Sequence, residues 1–304
     1  MTERSSDIKA HIVATRQLES VVTAMRGVAA VRAREAQSRL DGVRAYAAAL
    51  GEAIGAALAL MAETPHLRDT ANHRPISGHI ILAFCSGRGF VGAFNERILT
   101  AATRLAAGAG KERASVFIVG ERGVTLAHER GLRIDWTLPM ASRVDDAPSL
   151  AERIADALYR RLAEHSADRV TLIHGTPSAA SVEIIERSLI PLDLARFPPA
   201  PRLVPPLVTL PPEALIESLA QEYVFAELCE AVVLSFAAEN EARMRAMIEA
   251  RNNVQKTLEE LEARHRQKRQ EEITEEIIEL VRPVSEGARA NFLRRGSSAS
   301  RDSP

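Results

Sequence analysis

Three glycines near residue 90 have the spacing of a phosphate-binding turn. Gly87, Gly89 and Gly92 form the pattern G-x-G-x-x-G, directly after the apolar run 79–85 and directly before a helix-like run. In dinucleotide-binding enzymes this spacing lets a strand, a tight turn and a helix N-terminus hold a pyrophosphate on backbone N–H groups. Such a site also needs an acidic residue after the second strand, and Glu121 could serve. A Rossmann-type NAD(P)-binding enzyme is therefore one hypothesis.

Other residue types that carry chemistry form no familiar constellation. The segment 108–112 contains the Gly-Lys pair of a phosphate loop, but Leu105 replaces its first glycine and Glu112 replaces its Mg²⁺-binding Ser or Thr. The eight histidines form no H-E-x-x-H pair. Cys85 and Cys229 are isolated, which is typical of buried thiols in a reducing compartment. We predict no catalytic residue, no metal site and no cofactor.

Composition limits the classes of partner. The 304 residues carry a net charge of −1, so nothing steers the chain toward nucleic acid. Residues 1–7 are polar, and no apolar signal-peptide core follows them. The sequence also lacks a run of 18 uncharged apolar residues. These features predict a soluble chain without direct membrane insertion.

The distribution of proline indicates how the chain is organised. Residues 1–64 contain no proline, and 213–282 contain neither proline nor glycine, whereas eight of the fifteen prolines lie in 191–212. This predicts two long helices, from about Ser6 to Glu63 and from Glu213 to about Arg282. Each helix carries an apolar stripe that needs a partner, which favours an antiparallel coiled coil of the two. Solvated single helices or members of a bundle are the alternative.

Alternating strand-like and helix-like runs lie between the long helices. They predict an α/β insert with a mainly parallel sheet. The fold class is thus α/β, with a long antiparallel coiled coil of the N- and C-terminal helices and an inserted Rossmann-like domain. Predicted strands are Ile80–Cys85, Ser115–Val119 and Val170–His174, and predicted helices are Asn95–Ala107, Ala147–Glu164 and Val182–Ile190. Predicted boundaries are 1–66 and 211–284 for the coiled-coil helices, 76–210 for the insert, and 285–304 for a disordered Gly/Ser/Arg-rich tail.

Both ends of the sequence carry recognisable motifs. The segment from Ile12 to Gln37, with Met25 at its centre, resembles the pattern I-T-x-A-M-x-M-V-A-x-x-K-L-x-x-A that opens the γ subunits of F-type ATP synthases. The segments 239–253 and 269–279 resemble the closing pattern E-x-x-A-R-M-x-A-M … N … R-Q-x-x-I-T-x-E-L-x-E-I. The glycine turn resembles S-D-R-G-L-C-G-G-x-N, with Gly87 in the position of the family's Asp. On this basis Gly87, Gly89 and Gly92 form a structural turn and no dinucleotide site.

The resemblance implies a non-catalytic central rotor that couples ion flow through a membrane c-ring to ATP synthesis or hydrolysis at β subunits. The implied partners are the α and β subunits of the catalytic ring, the ε subunit and the c-ring, at the cytoplasmic face of the bacterial plasma membrane. Implied contacts with α and β are Met25, Arg243, Arg269, Gln270, Thr274 and Glu276, and an implied apolar bearing consists of Ile273, Ile277, Leu280 and Val281. A free-standing coiled-coil scaffold remains the third hypothesis, beside the rotor and the NAD(P) enzyme.

Overall fold

The computed structural model describes residues 5–62, 78–110, 113–164, 167–178, 181–198 and 208–297. Side chains are described up to residue 60 in the first helix and up to residue 278 in the last. The chain divides into two units, one formed by 1–24 with 249–304 and the other by 25–248. Helix α1 (Ser5–Ala62) and helix α5 (Pro212–Ser297) each contribute residues to both units.

The larger unit contains a five-stranded sheet. The strand order is β3-β2-β1-β4-β5. Strands β1 to β4 run parallel, and β5 pairs antiparallel with β4. The mainly parallel sheet expected from the sequence is therefore present. The strands are β1 (His79–Phe84), β2 (Ala114–Val119), β3 (Trp136–Leu138), β4 (Arg169–Pro177) and β5 (Val182–Ile190), and the remaining helices are α2 (Phe94–Ala109), α3 (Glu121–Glu129) and α4 (Ala147–Ala163).

Helices cover both faces of this sheet. All six residues of β1 are buried, as expected of a central parallel strand. One face packs against α4 and against residues 224–237 of α5, and the other packs against α2 and α3. The contributions of α5 to the first face include Val224, Leu228, Val232 and Phe236. The long C-terminal helix is thus one wall of the α/β core.

Helix α1 contains a strongly apolar segment. Among the described residues it is the one helix long and apolar enough to cross a membrane, with an 18-residue window of mean hydropathy 1.4. The core helix of a soluble protein passes the same test of length and composition. In the structure, Ile54 of α1 is fully buried in a cluster with Phe197 and Tyr223, whose rings meet edge to face at 4.9 Å. This part of α1 therefore contributes to an apolar cluster of the larger unit.

In the smaller unit, the start of α1 lies against the far part of α5. Ile8 and Ile12 are buried. The guanidinium of Arg16 pairs with Glu262 at 2.7 Å, and the backbone N–H of Ser5 donates to Glu272 at 3.2 Å. Beyond residue 272 the isoleucines of α5 are exposed, as described below.

The segment 182–190 differs from its prediction. It forms strand β5, not a helix, because its β-branched residues suit a pleated surface and pair with β4 along nearly their whole length. The apolar residues Val182, Ile185 and Leu189 also fit a helical period, which explains the error. Helix α3 and strand β3 are additional elements that the sequence did not reveal, since each is short.

The end of α5 also differs from its prediction. Its backbone is helical through Pro283 and Gly287 to Ser297, whereas the sequence predicts a disordered tail from Ser285. A single proline removes one helical hydrogen bond, and the alanine, leucine and arginine residues that follow favour a helix. Residues 298–304 lie outside the described part of the chain.

A buried histidine in β4 predicts that the stability of the fold falls at acidic pH. His174 is 3% exposed, and burial lowers its pKa below the ordinary value, as does Arg187 nearby. Because the fold favours the neutral ring, the unfolded chain binds more protons below about pH 6.5. The contribution of His174 to stability is complete above that pH, and it is lost as the pH falls, by up to about 1.4 kcal/mol per pH unit.

We therefore expect His174→Gln to flatten the decrease in the free energy of unfolding between pH 7 and pH 5. Urea denaturation at a series of pH values measures this. The exposed His128, replaced in the same way, is the control and should leave the slope unchanged. Equal slopes for wild type and His174→Gln would contradict the assignment.

Candidate functional site

The glycine-rich segment forms a tight connection between β1 and α2. The Asn95 side chain holds it: its oxygen accepts from the backbone N–H of Ser86 at 2.8 Å, and its nitrogen donates to the Ser86 hydroxyl at 2.8 Å. That hydroxyl donates in turn to the carbonyl of Arg88 at 2.9 Å. Two residues have positive φ, Gly92 at 55° and Phe90 at 62°. Phe90 is also 67% exposed, so the turn combines backbone strain with an exposed aromatic ring.

Two side chains of α5, Glu239 and Arg243, bond to this turn, and Asn240 bonds to Arg243. We call Glu239, Asn240 and Arg243 the turn clamp. Glu239 accepts the backbone N–H of Gly87 at 3.2 Å and pairs with Arg243 at 2.6 Å. Arg243 donates to the Asn240 side chain at 3.1 Å and to the carbonyls of Gly89 and Arg88 at 3.2 and 3.3 Å. Both charged side chains of this ion pair are more than 90% buried. The clamp is therefore a fully hydrogen-bonded polar cluster in a largely apolar contact.

The turn clamp leaves no room for a dinucleotide. The space beside it, lined by Gly87, Glu239 and Arg243 among others, is about 50 Å³, whereas ligand pockets measure roughly 300–1,000 Å³. The N–H of Gly87, which would bind a phosphate, already donates to a carboxylate. A second negative charge at that position would be repelled. Glu121, the residue expected to bind a ribose, instead accepts the backbone N–H of Met140 at 3.4 Å. The geometry disfavours the NAD(P) hypothesis.

The cysteines are not suited to nucleophilic chemistry. Burial raises the pKa of the Cys85 thiol far above its usual range, and the Glu239 carboxylate raises it further. Burial also raises the pKa of Cys229 to about 11. Among the described residues, no group of three or more His, Cys, Asp or Glu side chains is placed to hold a metal ion.

The positive φ of Gly92 predicts that replacing this glycine destabilises the fold. A valine there would adopt a left-handed backbone conformation that β-branched residues avoid, so Gly92→Val is expected to lower the free energy of unfolding by about 1–3 kcal/mol. Gly89 has no such requirement, because its φ is not positive and the nearest atom to an added Cβ lies 3.9 Å away. Gly89→Ala is thus the control, with a change within about 0.5 kcal/mol. Urea unfolding of both variants measures the difference, and equal losses would contradict it.

The structure separates the predicted contact residues into two groups. Met25 is half-buried and Arg243 belongs to the turn clamp, where it is 7% exposed. Arg269, Gln270, Thr274 and Glu276 are exposed on α5. Ile273 and Ile277 are 46% and 55% exposed, and the neighbouring Ile278 is 60% exposed. The side chains of Leu280 and Val281 lie outside the described residues.

Sequence reasoning missed the partners of Arg243 in the turn clamp. Glu239 and Arg243 are four residues apart, and Glu239 directly follows the largely apolar segment 231–238. A charged pair at that spacing in an apolar context is the available signal for a buried ion pair.

A family model described as ATP synthase matches residues 4–285, and the chain belongs to that family. Among curated relatives, the ATP synthase gamma chain of Bdellovibrio bacteriovorus is 29% identical over 286 residues, covering 90% of this chain and 96% of the relative. The ATP synthase gamma chain of Chlorobium phaeobacteroides is 28% identical over 285 residues, with the same coverage.

Solved structures share the fold. A chain of the Euglena gracilis mitochondrial ATP synthase, in a structure of OSCP, F1 and c-ring in rotational state 3, matches with a TM-score of 0.64 at 13% identity. That match covers 94% of this chain and 95% of the other. A chain from the central stalk and c-ring of the Tetrahymena thermophila mitochondrial ATP synthase matches with a TM-score of 0.56 at 21% identity, covering 76% and 99%.

Proposed function

We infer that this chain is the γ subunit of an F-type ATP synthase, a non-catalytic part of the central stalk. The observation that carries this inference is the family match along residues 4–285, which includes the insert and nearly all of both long helices. Two features agree with a non-catalytic role. The turn clamp occupies the one candidate phosphate-binding turn, and both cysteine thiols are held in the neutral form.

Within this function, helices α1 and α5 form an antiparallel coiled coil. Polar contacts support that arrangement in each unit, because residue numbers rise along α1 as they fall along α5. In the smaller unit Arg16 pairs with Glu262, and Glu19 accepts from Gln255. In the larger unit Arg44 pairs with Glu230, and Tyr46 donates to Glu222. The strand order and the helices on both faces of the sheet support a Rossmann-like insert.

A rotor of this kind transmits its angular position to the subunits around it. The α and β subunits surround the coiled coil, and the insert rests on the ε subunit and the membrane c-ring. Because the shaft is asymmetric, each β subunit meets a different surface at each angle, which links rotor angle to nucleotide affinity. The complex sits at the cytoplasmic face of the bacterial plasma membrane, and this chain is peripheral to it.

The exposed residues at the far part of α5 suit contact with α and β. Arg269, Gln270, Thr274 and Glu276 offer directional hydrogen bonds that favour particular angles. The exposed isoleucines Ile273 and Ile277 offer a weakly directional apolar bearing, which Leu280 and Val281 extend in sequence. The half-buried Met25 belongs to the same proposed contact set.

Co-expression with the α and β subunits of the same organism tests this function. We expect a complex that contains the chain, and ATP hydrolysis that depends on its presence. In membrane vesicles that contain the c-ring, ATP should drive ion uptake. Saturable NAD binding by the purified chain would support the enzyme hypothesis instead, and stable homodimers that ignore α and β would support the scaffold hypothesis.

A further inference from the structure

We propose that Glu239, Asn240 and Arg243 are positioning residues that lock the turn 86–90 of the insert to helix α5, so that both rotate as one body. This proposal rests on the rotor function inferred above. It gives Arg243 an internal role in place of the direct contact with α or β that the sequence suggests.

The hydrogen bonds of Arg243 support an internal role. Its guanidinium donates to one carboxylate, one side-chain amide and two backbone carbonyls, all within the larger unit. The residue is 7% exposed. A carboxylate of another subunit could reach it only after these bonds break and the side chain leaves its buried position. Arg243 therefore acts through the turn it holds.

Directional bonds matter at this contact because much of it is apolar. Residues 224–237 of α5 meet the sheet largely through Val, Leu, Phe and Ala side chains, whose contacts are non-directional and resist sliding weakly. The turn clamp adds bonds to backbone atoms of Gly87, Arg88 and Gly89, whose positions do not depend on a side-chain rotamer. These bonds fix the angle of α5 about its own axis relative to β1.

A second polar contact lies further along the helix. Arg187 of β5 pairs with Glu227 at 2.6 Å, and Glu227 is 3% exposed. Glu227 and Glu239 are 12 residues apart, roughly 18 Å along the helix at 1.5 Å per residue. Arg245 of α5 also donates to the carbonyl of Ser178, which follows β4, at 3.3 Å. The turn clamp differs from these contacts because it bonds to three consecutive residues of one turn.

Backbone strain in the turn is consistent with such a lock. Phe90 has φ of 62°, which is unfavourable for a residue other than glycine. Such strain persists when the surrounding bonds over-determine the conformation. Here the two carbonyls that immediately precede Phe90, those of Arg88 and Gly89, both accept from Arg243.

The test uses the assembled, membrane-bound complex. The double variant Glu239→Leu/Arg243→Met removes the charged pair together, so that neither partner is left buried and uncompensated, and the subunit keeps its fold. We expect normal assembly and largely retained ATP hydrolysis, with ions pumped per ATP reduced by at least about five-fold, the lower end of typical coupling effects. A matched control is Arg104→Met/Glu186→Leu, which removes a more exposed pair inside the insert. It should leave the pumping ratio unchanged.

A conservative variant separates positioning from charge balance. Arg243→Lys keeps the positive charge beside Glu239 but lacks the planar fork that reaches two carbonyls and an amide at once. A reduced pumping ratio in Arg243→Lys supports the lock. A normal ratio there would mean that the residue only balances the charge of Glu239, and would overturn the proposal.

Two further outcomes would overturn the lock while leaving the rotor function intact. One is a double variant that pumps as many ions per ATP as wild type. The other is a proportional loss of hydrolysis and pumping together with a lower melting temperature of the complex. Failure of the wild-type chain to support ATP hydrolysis by α and β would instead refute the rotor function itself.

Discussion

Replacing Glu239 with alanine is expected to lower the free energy of unfolding by about 3–5 kcal/mol, the cost typical of breaking a buried ion pair from one side. The variant leaves the Arg243 guanidinium buried without its counter-charge, and it also removes the acceptor of the Gly87 N–H. Urea denaturation of the purified chain, followed by circular dichroism, measures the loss.

Asp145→Ala is the matched control for Glu239→Ala. It breaks the ion pair with Arg39, in which both side chains are more than half exposed, and should cost less than about 1 kcal/mol. The double variant Glu239→Leu/Arg243→Met should lose less stability than Glu239→Ala, since it leaves no buried charge without its partner. A loss for Glu239→Ala no greater than that of the control would show that the buried pair of Glu239 and Arg243 stabilises the fold no more than an exposed pair does.

The second large effect is expected at the exposed isoleucines of α5. Changing Ile273, Ile277 and Ile278 together to glutamine should leave helix content and stability unchanged, because these side chains are already about half exposed and glutamine favours helices. If they form the bearing, the variant loses about 1 kcal/mol of burial per residue on assembly, or roughly a hundred-fold in the Kd for the α/β ring. Pull-down and ATPase titration with α and β measure this change.

Two truncations test which part of α5 is needed for binding to the α/β ring. Deleting 272–304 removes the bearing together with Glu272, which accepts the Ser5 N–H, so assembly and coupled activity should fall sharply. Deleting 285–304 keeps the exposed isoleucines and should change little. If the shorter deletion proves as damaging as the longer one, the functional element is the last stretch of α5 and the bearing assignment is wrong.

Much of the fold was predictable because local signals agreed with tertiary packing. The apolar run at 79–85, followed by glycines, predicted a buried strand and a turn, and β1 occupies 79–84 of that run. The absence of proline from 1–64, and of both proline and glycine from 213–282, predicted the long helices to within one residue at three of their ends. Strand β5 escaped prediction because the apolar residues of 182–190 fit two periods, and only pairing with β4 decides between them.

The site was predictable only in part, for a physical reason. Arg243 was identified from a family pattern, but its bonding partners Arg88 and Gly89 lie about 150 residues earlier in the chain. They bond through backbone atoms, so the amino-acid types at these positions do not reveal the contact. Positive φ occurs in this turn at Gly92 and at Phe90, and the residue type of Phe90 gives no signal for it.

The packing of residues 224–237 on the sheet has a consequence for how the protein is made. The last strand of the sheet ends at Ile190, yet part of one face stays uncovered until Phe236 has been synthesised. At roughly 5–20 residues per second, those 46 residues correspond to a delay of about 2–10 s. During that interval the nascent chain presents an apolar surface beside the ribosome, which is the kind of surface that chaperones bind.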